Sequence, residues 1–180
     1  MMTQRTAAKL NLDALRNYAL RALSQRGLSV SELRRKLRLR AETPGDVDMV
    51  VESLQSYGFV DDRRLSESIA DARVQSGTTG AQRVVRDLLR KQVSPVVARE
   101  AVSKAFENVD EPELIREYLE KKLRGKNLSE YLKEPKNLAS LYRKLRVAGF
   151  SSPSSIRVLK AFTARADELE EMDSVSGEAE

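Results

Sequence analysis

Apolar residues recur along the chain at the three- and four-residue spacing of helices that bury one face. Leu12, Leu15, Ala19, Leu20 and Leu23 form a first stripe that ends near Gln25-Arg26-Gly27. The segment "GLSVSELRRKL" restarts the pattern, and Ser29 and Glu32 stand at the spacing of a capping box, in which each side chain accepts the other's backbone N–H. A further stripe runs through Leu65, Ile69 and Ala72 after Asp61-Asp62 and stops at Gly77, where "GTTGAQRVVRDLL" begins the next helix. Later, Asp110 caps "EPELIREYLEKKL", and a longer connection, "GKNLSEYLKEPKN", precedes the last stripes.

These segments repeat. Leu37, Leu88 and Leu145 each follow an apolar residue four positions earlier (Leu33, Val84, Leu141) and an arginine two positions earlier (Arg35, Arg86, Arg143). Downstream of each comes a hydroxyl residue before proline: Thr43-Pro44, Ser94-Pro95 and Ser152-Pro153. Such a pair suits an N-cap and first helical position, because the hydroxyl accepts free amides and proline has none to lose. Val47, Ala98 and Ile156 then stand three residues past the prolines. The pattern predicts an all-α chain of nine helices, three in each of three tandem repeats, forming an elongated, curved array. The expected division is a flexible N-terminus at 1–11, repeats at 12–58, 59–107 and 108–166, and an acidic, disordered or frayed tail at 167–180.

Composition narrows the chemistry. The 180 residues include no cysteine and no histidine, which removes thiolate and imidazole metal sites and the triads and dyads built on them. An enzyme would have to work with carboxylates, Lys, Ser or Tyr alone, so the expectation is a protein that is not an enzyme and uses no cofactor or metal. No stretch reaches the roughly 20 apolar residues of a membrane span, and the N-terminal residues lack a secretory apolar core. The expected compartment is therefore the cytoplasm, with no membrane partner.

Charge is distributed unevenly. Asp167 to Glu180 hold seven acids and no base, which leaves residues 1–166 with 32 bases against 20 acids, a net of +12. A basic body of this kind suits a polyanionic partner. The runs "LRRKLRLR", "RVVRDLLRK" and "YRKLR" fall at equivalent repeat positions, so stacked repeats would align them as a basic stripe. The candidate binding residues are Arg34, Arg35, Arg38, Arg73, Arg83, Arg86, Arg90, Lys91, Arg143, Lys144 and Arg146. Aromatic platforms for stacking single-stranded bases are not evident. The paired Asp61-Asp62 reads as helix capping rather than a metal or acid–base site, since no third carboxylate is near in sequence. The glycines of "GTTGAQR" read as a connection with a cap at Thr79 or Gly80, with a phosphate cradle of backbone amides as the other reading.

Three of these stretches carry a resemblance. "LSQRGLSVSELRRKL" (Arg26, Ser29, Glu32, Leu33, Lys36, Leu37), "YGFVDDRRLSESIADARVQSG" (Gly58, Asp61, Asp62, Ala70, Arg73, Gly77) and "RVVRDLLRKQVS" are similar to the motifs of the RecX family of RecA regulators, over roughly residues 12–107. The resemblance implies tandem three-helix units and a non-enzymatic regulator, an inhibitor in most members, that lies in the groove of the RecA–DNA filament. Its implied partners are the RecA filament and single- or double-stranded DNA held through phosphates, with the protein a monomer. The alternative left open by the residues themselves is an independent helical-repeat DNA-binding protein, architectural or transcriptional.

Overall fold

The computed structural model describes residues 8–125, 127–167 and 169. Ten α-helices follow one another: α1 (Leu12–Gln25), α2 (Val30–Arg38), α3 (Pro44–Ser56), α4 (Asp62–Ser76), α5 (Ala81–Arg90), α6 (Pro95–Phe106), α7 (Glu111–Lys122), α8 (Leu128–Tyr131), α9 (Pro135–Ala148) and α10 (Ser152–Lys160). A 3-10 turn closes the series at Ala164–Asp167. Nine of the helices occupy the segments that the apolar stripes mark. The tenth, α8, is a single turn inside the long connection, too short to show a period, and is started by Asn127, which accepts from the Glu130 amide at 3.1 Å. Among the described residues there is no strand beyond one parallel bridge between Leu10 and Ala41.

The chain divides into two compact units. The first comprises Met1–Ser68 and Asp87–Arg99. Its core lies among α1, α2 and α3, where Leu15, Ala19, Leu33, Leu37, Val47, Val50, Val51 and Leu54 are buried. Spacings of three, four and seven on each helix put these side chains on one face, and each fully buried Leu or Val contributes roughly 1.5–3 kcal/mol. The capping box forms as expected: the Glu32 amide donates to Ser29 Oγ at 3.0 Å, and the Ser29 amide donates to Glu32 at 3.2 Å. Pro44 opens α3 directly after Thr43, although the Thr43 side chain makes no capping bond.

The second unit comprises Ile69–Arg86 and Glu100–Glu180. Ile115, Leu119, Leu138, Leu141, Leu145, Phe150 and Leu159 form its core, from α7, α9, α10 and the turn between the last two. Tyr118 meets Phe150 edge to face, with ring centres 5.4 Å apart. Asp110 caps α7 as expected, accepting from the Glu113 amide at 3.2 Å. The cap of α10 is one residue earlier than the hydroxyl-proline pattern predicts. Ser151, not Ser152, accepts from the Ser154 amide, and Pro153 falls in the first turn, where a missing N–H is still harmless. Glu111 in turn accepts from the Ser151 amide and hydroxyl at 2.8 and 2.5 Å. The expected acidic tail beyond Asp167 lies, apart from Leu169, outside the described residues, as do residues 1–7 of the expected N-terminal segment.

Candidate interaction surface

The two aspartates at the start of α4 serve two different helices. Asp61 caps its own helix and accepts from the amides of Arg63 and Arg64 at 2.8 and 3.1 Å. Asp62 turns to α2 and accepts from the Val30 amide at 2.8 Å, satisfying one of the free donors of that helix start. No group of three or more His, Cys, Asp or Glu side chains that could hold a metal occurs among the described residues.

Burial holds the Asp62 carboxyl above its ordinary pKa. The negative charges of Asp61 and Glu32 push in the same direction, and the Val30 amide pulls against them. A carboxyl whose folded pKa lies above its unfolded value stabilises the fold below the unfolded pKa and loses that contribution as pH rises through the folded one. Ionised Asp62 therefore costs stability at neutral pH. Asp62→Asn keeps an oxygen for the Val30 amide and removes the charge, so its melting temperature is expected to match or exceed the parent's at pH 7, with the gain vanishing near about pH 3. A variant that melts lower at pH 7 would mean that the charge itself carries the cap.

Beside this junction lies a buried ionic group. The Glu32 carboxylate, only 10% exposed, is 3.2 Å from Lys91 Nζ and 3.5 Å from Arg26. Ser29 Oγ also donates to the Lys91 carbonyl at the end of α5. Lys91 is thus held inward and differs from the exposed side chain that the run "RVVRDLLRK" leads one to expect.

In the "GTTG" segment Gly80 stands directly before α5 and its carbonyl accepts from the Arg83 and Val84 amides at 3.1 and 3.4 Å, the cap position that one of the two sequence readings gives. The Gly80 amide donates to the Ala148 carbonyl at 2.9 Å and the Gln82 amide to Gly149 at 3.1 Å, so the start of α5 abuts the end of α9. These amides are occupied and cradle no phosphate. Gly149 has a left-handed backbone (φ 93°), and a Cβ placed there would lie 2.2 Å from the Arg83 nitrogen. A Cβ at Gly80 would lie 2.4 Å from the Gly149 carbonyl. Arg83 and Arg86 both donate to the Val147 carbonyl, at 3.3 and 3.2 Å.

The remaining candidate basic residues sort by their partners. Arg34 is half-buried 3.1 Å from Asp48, Arg146 donates to the Phe150 carbonyl at 2.7 Å, and Arg90 lies 3.7 Å from Asp87. Arg73 is exposed on α4. Arg35, Arg38, Arg86, Arg143 and Lys144 are exposed and form no ion pair among the described residues. Arg143 donates to the Ala139 carbonyl of its own helix, at 3.2 Å. Arg35, Arg86 and Arg143, which stand at one position of the sequence pattern, therefore share one character: all three are exposed, and none pairs with a carboxylate among the described residues.

The apolar stripes give no reason to single out Tyr57 and Phe59, yet both are exposed, by 76% and 57%. Their only sequence signal is position, on either side of a helix-ending glycine and off the buried face.

The described residues define an all-helical protein, and no helix among them is long and apolar enough to cross a membrane. No family model matches the chain. Over 93 residues it is 34% identical to Regulatory protein RecX of Halorhodospira halophila, a match covering 52% of this chain and 57% of that relative. The protein of the same name from Chromohalobacter salexigens is 33% identical over 87 residues, 48% of this chain and 57% of its own. The chain thus spans little more than half the length of these two relatives. A third, from Syntrophotalea carbinolica, is 24% identical over 134 residues, covering 74% of this chain and 86% of the relative. The crystal structure of RecX from Lactobacillus salivarius shares the fold, with a TM-score of 0.67 at 18% identity over 84% of this chain and 96% of that one. In sequence the chain is similar to these RecX proteins, and it shares its fold with the solved RecX structure.

Proposed function

We propose that this chain is a non-enzymatic regulator of RecA-mediated recombination, an inhibitor that lies in the groove of the RecA–DNA filament and holds it through a basic helical surface. In this reading residues 12–58, 59–107 and 108–166 act as successive repeats, each presenting one arginine of the set Arg35, Arg86 and Arg143 to RecA carboxylates or DNA phosphates. The guanidinium fork suits either acceptor. The observation that carries the reading is the shared exposure of these three side chains without carboxylate partners. A repeated scaffold explains the buried Leu33, Val84 and Leu141, but it requires no charge at a solvent-facing position two residues before each anchor leucine.

The test is titration of the protein into RecA-dependent ATP hydrolysis and strand exchange, with the triple variant Arg35→Gln, Arg86→Gln, Arg143→Gln alongside. Exposed substitutions cost under about 0.5 kcal/mol each, so helicity and melting should hold while inhibition weakens by about tenfold or more, roughly 1.4 kcal/mol. Binding to naked DNA should fall steeply with salt and show little sequence preference. A triple variant that inhibits as well as the parent moves the active surface elsewhere. A parent that leaves RecA untouched and binds DNA with sequence preference replaces this reading with an independent DNA-binding function.

A further inference from the structure

We infer that the acidic segment 170–180 is an intramolecular ligand of the basic surface of α9 and α10, where it competes with a polyanionic partner. Between Pro135 and Ala166 the sequence holds seven bases and no acid, whereas Glu170, Glu171, Asp173, Glu178 and Glu180 follow without a base. The fold turns most of these bases outward. Lys136, Arg143 and Lys144 are exposed on α9, seven and eight residues apart, which is two turns and one face of a helix. Arg157 and Lys160 are exposed one turn apart on α10. Acids on neighbouring segments do not cancel this charge. Glu134, at the start of α9, is offset by Lys133. On α7, which packs against α10, Glu113 lies 2.5 Å from Arg116 and Glu117 3.4 Å from Lys121. That helix carries four acids and three bases in all, so it sets one net negative charge against seven positive ones. The surface remains strongly basic, and its complement is an acidic chain.

Two contacts aim the chain at this surface. Leu169 is 2% exposed in the core of the second unit, which fixes the point from which residues 170–180 start. Asp167, the first acid after the basic stretch, already lies 2.7 Å from Lys160 at the end of α10. From Leu169 the eleven residues 170–180 reach up to about 36 Å when extended. The 14 residues of α9 span only about 21 Å, so its whole basic face is within range. Ion pairs between exposed side chains are individually weak and are screened by salt. A tether this short holds five carboxylates at an effective concentration on the order of millimolar, so docking does not depend on one strong contact. It yields to a partner with a denser row of phosphates. The docking stands on these contacts alone, and the competition rests on the proposed function.

The test is zero-length carbodiimide cross-linking of the full chain, read by mass spectrometry, alone and with a single-stranded oligonucleotide. The reagent joins a carboxylate to a lysine only where the two touch, so Lys160 with Asp167 is the internal control in the protein alone. Residues 170–180 are expected to join Lys136 or Lys144 of the same chain, as mixing light and isotopically heavy protein will show, and saturating oligonucleotide is expected to abolish these links. In parallel, the variant Glu170→Gln, Glu171→Gln, Asp173→Asn, Glu178→Gln, Glu180→Gln should keep the parent's helicity. It should bind the oligonucleotide at least about fivefold more tightly at low salt, with the gap closing as salt rises. No link from 170–180 to either lysine while the control pair joins overturns the docking, even if the variant binds more tightly, because long-range charge alone would then explain the gain. Links that survive saturating oligonucleotide overturn the competition. Links that oligonucleotide releases, in a protein that leaves RecA activity unchanged, would fail the proposed function and leave this inference standing.

Discussion

Replacing Gly149 with alanine is expected to lower the unfolding free energy by about 3 kcal/mol or more, from two separate costs. The left-handed backbone at φ 93° costs a residue with a Cβ roughly 1–2 kcal/mol. The new methyl would also lie 2.2 Å from the Arg83 nitrogen and 2.4 Å from its Cβ, and the nearest of these atoms belongs to the backbone of α5. Relief requires α5 to move, which strains the bonds from Gly80 and Gln82 to the end of α9, each worth about 1 kcal/mol. Gly125→Ala separates the two costs, because Gly125 has φ 81° but open space around its Cβ position. It should lose only about 1–2 kcal/mol. Gly80→Ala isolates the clash, since it meets the Gly149 carbonyl at 2.4 Å with no left-handed backbone. Urea unfolding of the three variants provides the comparison. A Gly149 variant no worse than the Gly125 variant would show that the two helix ends do not interlock. The same junction seats Arg83 and Arg86 on the Val147 carbonyl.

What the sequence makes legible here is local. Leu33 and Leu37, Val84 and Leu88, and Leu141 and Leu145 are all buried, because a four-residue spacing on a helix leaves little choice of face. The capping box at Ser29 and the cap at Asp110 are legible for the same reason: both partners lie within one turn. Asp61 follows the rule for its own helix, but its neighbour Asp62 serves α2, 32 residues away, and no local pattern encodes that. The glycines of "GTTG" look like slack in a connection until Gly149 is known to press against them. The basic residues are legible as a set and not as individuals. Arg34 and Lys91 carry the same charge as Arg35, Arg86 and Arg143, yet the first two pair with the protein's own carboxylates, while the last three form no ion pair among the described residues. Sequence spacing gives the arc of a helix, and partners from other helices decide which charges on that arc remain open.

Lys91 gives the sharpest test of that division. Glu32→Ala is expected to destabilise the protein by about 2–4 kcal/mol, near the low end for breaking a buried ion pair because the lysine keeps some access to water. The carboxylate is 10% exposed and serves the Ser29 amide at 3.2 Å, Lys91 at 3.2 Å and Arg26 at 3.5 Å. Its loss removes half of the capping box and leaves a 26%-exposed ammonium without its acceptor. Glu32→Gln retains an oxygen for the Ser29 amide and should cost less, about 1–2 kcal/mol. Lys91→Met removes the charge but keeps the apolar stem, so in the double variant with Glu32→Ala the stranded ammonium is gone and part of the loss should return. A coupling energy of about 1–2 kcal/mol between the two positions is the expected outcome of the cycle. Lys91→Met alone should then lower stability while leaving filament inhibition close to the parent's. If the coupling is near zero and inhibition falls instead, Lys91 acts on a partner and not on Glu32, and it belongs with the three open arginines.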